Sequence, residues 1–331
     1  MKIVRMHSYG GPEVLQLEEA ANPTLRSGQV LVKVEASGVN FADVMRRYDS
    51  YLEPTPLPFV PGMEAAGTVV QVGEGANKVK VGARVVGLTV SGAYAEYVAL
   101  PEALLSILPD EISLEQAVAL PVQGLTAYHL IKTFGRLQPG ESILVHAAAG
   151  GVGTLAVQLA RLLGAGKIIA TASSPQKLAM AEALGADVLI NYTEPGWTQQ
   201  VRMATGGKGV DVILEMAGGE IFNDNFKCLA AFGRIVAYGS SSSSPGQFPN
   251  LRLEVPALQL MKRGQSLSGF YLSSITNKAE LILPIMQELF QYVLSGKLKL
   301  NVKHIYSLSE VVKAHQLLES RQTVGKVVLH P

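Results

Sequence analysis

The stretch VHAAAGGVGTLAVQLAR, residues 145 to 161, constrains the fold more than any other part of the chain. An apolar run hands over to clustered glycines and then to a helix-like repeat. Gly151, Gly153 and Ala156 take the spacing of a dinucleotide fingerprint whose third position accepts alanine. In that reading Gly151 permits the sharp turn, Gly153 lets a pyrophosphate approach the backbone, and Ala156 lets the helix lie close on the strand. Unpaired N–H groups of Gly151, Val152 and Gly153, with the positive end of the helix dipole, then face the phosphates. A plain tight turn would use the same glycines, so the context decides: a strand before, a helix after, and further strands spaced behind.

From about residue 122 apolar strands alternate with helices: SILVHAA, KIIATAS, DVLINY, VDVILEM, GRIVAYG and SLSGFYL, with helices that include 154–163, 174–184 and 221–231. Six such strands predict an α/β, doubly wound parallel sheet. Before residue 120 the texture differs, with short strands such as QVLVKVEASGVN and EAAGTVVQVGEG separated by glycine and proline, which predicts a β-rich domain. The last sixty or so residues hold a strand, a helix and a terminal strand that could continue the sheet or return to the first domain. Residues 281 to 296 read as an amphipathic core helix. SSSSSPG, 240 to 246, reads as a surface connection.

A chain of 331 residues exceeds the usual size of a single core, which predicts two domains. The 28 basic and 27 acidic side chains carry no long run of either sign, so nothing marks a nucleic acid or an anionic membrane as partner. No stretch reaches the roughly 18 apolar residues of a membrane span. A lone cysteine, Cys228, excludes an intrachain disulfide and fits a reducing compartment, and the expected location is the cytoplasm.

The charge past the fingerprint indicates which nucleotide binds. An NAD site carries an acidic residue roughly 20 residues on, at the end of the next strand. Here the chain reads TASSPQK, without an acid. Ser173 and Ser174 offer hydroxyls and Lys177 a cation, which suits a 2′-phosphate and predicts NADPH. Ser174 also suits a helix N-cap with Pro175 at the first helical position, which leaves Ser173 and Lys177 available.

At this point the residues resemble a known family. GESILVHAAAGGVGTLAVQLAR (140 to 161) resembles the quinone oxidoreductase signature of the medium-chain dehydrogenase/reductase superfamily. ASGVNFADVMRR, FVPGMEAAGTVVQVGEG, QGLTAYH, ATASSPQKL, ALGADVLINY and the terminal GKVVL follow in the family's order. PGMEAAG and SGAYAEYVALP are similar to the subgroup near the synaptic vesicle membrane protein relatives. The resemblance implies a GroES-like β-barrel domain over 1–121, a Rossmann NADPH-binding domain over 122–262, and a return segment over 263–331 that completes the first. It also implies a homodimer joined through sheet edges.

Alcohol-oxidising members of the superfamily hold zinc through a cysteine and a histidine whose stretches here read SGVNFAD and PGMEAAG. Met63 takes the histidine position and the cysteine is absent, so no metal is expected. His7, His129, His146, His304, His315 and His330 stand singly and read as structural. Without zinc the natural chemistry is reductive, passing hydride or electrons from NADPH to a quinone or α,β-unsaturated carbonyl while the protein orients both and supplies donors to the acceptor oxygen. By resemblance Asn40, Tyr51 and Gln123 are those donors. Relatives often carry glycine two residues before the tyrosine, where Asp49 stands here, and this leaves Tyr48 as a rival to Tyr51. Asp43 and Glu64 read as structural. For the coenzyme the resemblance adds Asn40, Thr126, Tyr192, Gly239, Phe270 and Leu272, the last two equally readable as core strand. An enoyl-thioester reductase, or a protein that holds NADPH without turnover, are the alternative readings.

Overall fold

The computed structural model describes residues 1–241 and 254–331. Beyond Ser241, the serine-rich connection read at 240–246 lies outside the described residues. The chain divides into two units, Met1–Leu125 with Leu272–Pro331, and Thr126–Tyr271.

In the first unit, β1 (Lys2–Arg5) and β2 (Gln16–Glu19) form an antiparallel pair. β3 (Gln29–Val39) leads into the short helix α1 (Phe41–Arg47), and β4 (Glu64–Val72), β5 (Arg84–Leu88), β6 (Tyr97–Pro101) and β7 (Leu105–Ile107) follow. α2 (Leu114–Ala117) starts at Ser113, whose hydroxyl accepts the Gln116 N–H. A helical run continues through α3 (Leu125–Tyr128), which contains the boundary between the units.

The second unit alternates as the sequence predicts. Its strands are β8 (Ser142–Val145), β9 (Lys167–Ala172), β10 (Val188–Asn191), β11 (Val210–Glu215), β12 (Leu229–Ala237) and β13 (Ser266–Gly269). The helices are α4 (Gly151–Leu162), α5 (Pro175–Ala183), α6 (Trp197–Ala204), α7 (Gly219–Cys228) and α8 (Ala257–Arg263). All pairings are parallel, in the order β10-β9-β8-β11-β12-β13. Numbered within the unit, this is 3-2-1-4-5-6, the doubly wound dinucleotide order. Leu144, Ile169, Ile190, Ile213 and Ile235 from five of the strands share one buried cluster with Trp197, Phe222 and Phe226.

The remaining elements are α9 (Ala279–Leu294), β14 (Val302–Ser307), α10 (Val311–Glu319) and β15 (Lys326–His330). They settle the open question about the C-terminal segment, because β15 pairs antiparallel with β3 and carries β14 beside it. The sheet runs β14-β15-β3-β4-β5-β7, with β6 also on β3. β3 is long enough to share one edge: residues 29–33 pair with β6 and residues 37–39 with β15. Its alternate residues Val30, Val32 and Val34 bury together with Val69, Val85, Val98 and Leu100, as the two-residue strand period requires.

Two sequence expectations need correction. α7 stops at Cys228 instead of running to 231, because Leu229 already pairs with Val210. The chain then leaves the ladder, with Phe232 at φ 59°, before Arg234 resumes pairing with Val212. β13 ends at Gly269, so Phe270 and Leu272 are not strand residues. Because β13 pairs with β12, the second unit reaches Tyr271; the bounds expected from the resemblance are 122–262. The first division falls after Leu125.

Candidate active site and coenzyme cradle

In the second unit the fingerprint sits where β8 ends and α4 begins, at the strand whose neighbours β9 and β11 belong to opposite halves of the sheet. That switch point is where doubly wound sheets bind ligands. The turn differs from expectation in its details. Ala147, at φ 48°, takes the left-handed conformation, while Gly151 is the first residue of α4. A Cβ on Gly153 would stand 2.3 Å from the Ala147 carbonyl oxygen and 2.8 Å from Ala148 Cα. Gly153 is therefore required by the chain's own close packing, which brings the helix start against the end of the strand. The N-cap residue Gly150 gives α4 no side-chain cap. The N–H groups of Gly151, Val152 and Gly153 thus open a 12-residue helix as a cradle that fits a diphosphate.

Ser174 is the N-cap of α5, its hydroxyl accepting the Lys177 N–H at 3.4 Å. Ser173 is exposed just after β9, and half-buried Lys177 lies in the first turn of α5. Tyr192 follows β10, with its N–H on the Ala172 carbonyl and its ring 6.4 Å from that of His146. Gly239 follows β12 and lies against Met216. Buried His146 bonds Thr171 and Asn225, each at 2.8 Å, and Asn225 in turn bonds Glu215. Glu215 also accepts the Gly218 N–H at 2.6 Å, which ties down the loop after β11. This histidine is structural, as its isolation in the sequence predicts.

Thr126 is buried at the start of the second unit. Phe270 is buried there too, stacked on His129 at 5.7 Å and packed on Phe134 at 5.1 Å, so its ring is core. Leu272 is buried at the start of a short 3-10 turn in the first unit.

The first unit brings Asn40 and Gln123 together and adds two residues. Asn40, after β3, is 5% exposed and precedes α1. Its backbone N–H is held by Asp43 Oδ2 at 2.9 Å, one half of a capping box at the start of α1. Nδ2 donates to Glu64 Oε1 at 2.7 Å, while Oδ1 accepts from Gln123 Nε2 at 3.3 Å and from Lys326 Nζ at 2.9 Å. The amide oxygen is thus taken up, and one N–H remains to be offered. Sequence reasoning set Glu64 aside as structural and gave Lys326 no role. The available signal was a charged residue opening the apolar strand KVVLH.

Tyr51 is half-buried. Its hydroxyl points at Met63 Sδ, 4.0 Å away, and its ring lies 4.4 Å from the Arg46 guanidinium carbon. The rival Tyr48 closes α1 under Arg47 at 4.7 Å. Asp49 adopts φ 49°, a conformation that glycine favours and aspartate tolerates, so the position suits the glycine that the resemblance leads one to expect there.

Beneath α1, Tyr94 bonds Asp43 Oδ2 at 3.2 Å and His315 Nε2 at 3.3 Å. Burial pushes the Asp43 carboxyl up to about 6, against the donors from Asn40, Gly62 and Tyr94. Burial, with Arg47 nearby, pushes His315 down to about 3. Stability from neutral His315 is present above its ordinary value of 6.5 and is lost as pH falls towards 3. Stability from protonated Asp43 is present below 3.8 and is lost as pH rises through about 6. Between about pH 4 and 6 the two act in opposite directions. The His315→Gln variant is therefore expected to lose melting temperature, relative to the unaltered protein, as pH rises from about 4 to 6. Parallel melting curves across that range would count against the assignment.

Two family models match the chain, "Alcohol dehydrogenase GroES-like domain" over residues 26–110 and "Zinc-binding dehydrogenase" over residues 151–288. A quinone oxidoreductase of Salmonella typhimurium is 38% identical over 331 residues, covering 99% of both chains. The chain belongs to the quinone oxidoreductase family of the medium-chain dehydrogenase/reductase superfamily. Its fold is that family's GroES-like domain with a Rossmann sheet. The structure of the Escherichia coli quinone oxidoreductase complexed with NADPH matches with a TM-score of 0.93 at 35% identity, covering all of both chains. The human synaptic vesicle membrane protein VAT-1 homolog is 33% identical over 342 residues, covering all of this chain and 86% of that protein. In this quinone oxidoreductase family member, zinc does not fit the residues present. Met63 offers a thioether and Asn40 an amide already engaged by Glu64 and Lys326. Among the described residues no three His, Cys, Asp or Glu side chains form a metal-binding group. Among the same residues, no helix is long and apolar enough to cross a membrane.

Proposed function

We propose that this oxidoreductase uses NADPH to reduce quinones or α,β-unsaturated carbonyls without zinc. The observation that carries the reading is the Asn40 amide, whose oxygen is bonded by two donors and which has one N–H left to give. Such a group stabilises negative charge arriving on an acceptor oxygen. Bound NADPH supplies the hydride or its electron equivalent. Gly151, Val152 and Gly153 hold the diphosphate through their N–H groups, and Ser173 and Lys177 receive the 2′-phosphate. Thr126, Tyr192 and Gly239 border the coenzyme, while buried Phe270 and Leu272 support it from the core. Asn40 and Tyr51 face the acceptor oxygen, and Gln123 orients Asn40.

Support for a homodimer comes from β13, which pairs only with β12 among the described residues and ends the sheet. Exposed Phe232, Leu258 and Met261 belong to the adjoining β12 and α8. Cytoplasmic residence is consistent with Cys228, a buried thiol pushed up to about 12 by desolvation.

The deciding experiment is a steady-state panel of quinones, enones and enoyl thioesters with NADPH and NADH. Fastest turnover on a quinone or enone with NADPH is expected. Preference for the thioesters would favour the enoyl-thioester alternative, and absence of coenzyme oxidation would leave a coenzyme-holding protein. In the same assay Lys177→Ala is expected to raise the KM for NADPH by about 10- to 100-fold, the loss of a charge-assisted bond, with little change for NADH. Equal effects on both coenzymes would reject the 2′-phosphate assignment.

A further inference from the structure

Lys326 is 1% exposed, and its ammonium meets the fully buried Glu64 carboxylate in an ion pair. Burying two charges gives a fold little net stability, and apolar or neutral replacements of similar size often serve as well. This chain nevertheless makes room for the pair. A Cβ on Gly38, the neighbouring position in β3, would stand 2.2 Å from Glu64 Oε1 and 2.6 Å from Lys326 Nζ.

The contacts of the pair converge on one place. Lys326 Nζ donates to Asn40 Oδ1 at 2.9 Å, and Glu64 Oε1 accepts Asn40 Nδ2 at 2.7 Å. Glu64 Oε2 accepts the backbone N–H of Val122 at 2.7 Å, fixing the residue before Gln123. A side-chain amide is nearly symmetric in shape but not in charge. With an ammonium on one side and a carboxylate on the other, only one orientation is stable, oxygen towards Lys326 and NH₂ towards Glu64. The reversed amide would face oxygen against carboxylate and NH₂ against ammonium.

We propose that Lys326 is a positioning residue. Together with Glu64 it locks the Asn40 amide so that its one uncommitted N–H faces the acceptor oxygen, and by drawing density from Oδ1 it strengthens that N–H as a donor. The inference rests on the reading of Asn40 as the oxyanion donor.

The test compares Lys326→Met, Lys326→Arg and the double variant Lys326→Met/Glu64→Gln in the full-length protein. Lys326→Met alone strands a buried carboxylate and is open to unfolding, so the neutral double variant, which keeps polar contact at residue 64, carries the test. It is expected to melt near the unaltered protein, to lose about 10- to 100-fold in kcat with a quinone, and to keep its KM for NADPH within about twofold. Lys326→Arg is expected to recover part of the turnover. Full turnover in the double variant, or kcat and KM for NADPH changing together, would overturn the proposal.

A second readout needs no activity. In ¹⁵N-edited spectra the Asn40 side-chain NH₂ pair, identified by its absence in Asn40→Ala, should exchange with solvent about tenfold faster in the double variant. Unchanged exchange would also overturn the proposal. If the unaltered protein reduces no quinone or enone, the proposed function fails by itself, and the amide exchange still decides whether Lys326 locks Asn40.

Discussion

Replacing Asn40 with alanine is expected to lower kcat for a quinone by about 10²- to 10³-fold, the usual cost of removing one oxyanion donor. The KM for NADPH should move little. Half of the capping box that starts α1 outlives the substitution, because Asp43 bonds the backbone N–H of residue 40, which alanine retains. The Lys326–Glu64 ion pair also survives the substitution, so no buried charge loses its principal partner. A thermal melt alongside the kinetics separates loss of chemistry from loss of fold. Unchanged turnover would reduce Asn40 to a turn residue between β3 and α1.

The second large effect lies in the other unit. Gly153→Ala is expected to raise the Kd for NADPH by on the order of 100-fold, measured by calorimetry or fluorescence quenching. The added carbon would press on the Ala147 carbonyl oxygen at 2.3 Å and on Ala148 Cα at 2.8 Å. Both are backbone atoms with no rotamer to yield, so the start of α4 must move away from the end of β8. Its N–H groups move with it, and losing two charge-assisted hydrogen bonds accounts for the size of the effect. NADH should suffer equally, since both coenzymes carry the diphosphate. That separates this variant from Lys177→Ala, which discriminates between them. An unchanged Kd for both would remove the fingerprint from the binding site.

The two sites were not equally legible in the sequence. The strand, turn and helix of the proposed coenzyme cradle were readable because they are neighbours in the chain: they follow within 17 residues, and Ser174 and Lys177 lie on the next helix start. Even there, the division of labour among small residues escaped. That Ala147 and not Gly151 takes the left-handed turn depends on backbone angles that no glycine count reveals. The network around Asn40 was largely hidden, because Lys326 reaches Asn40 across 286 positions and Glu64 across 262. Read locally, GKVVL is an apolar terminal strand and Glu64 an acid beside small residues. Only the pairing of β15 with β3 places the ammonium beneath the carboxamide. The strand reading at Phe270 failed for a related reason: β13 ends one residue earlier, and the ring's partners His129 and Phe134 lie far upstream.

The placement of β15 also orders events during synthesis. A ribosome completes the nucleotide-binding half before the strand that finishes the other half has been translated. Until residues 327 to 329 emerge, the far end of β3 has no neighbour on the edge that β15 will occupy, and the carboxylate of Glu64 has no lysine to meet it. A chain released too soon would therefore carry the complete parallel sheet but lack the strand that brings Lys326 to Glu64 and Asn40.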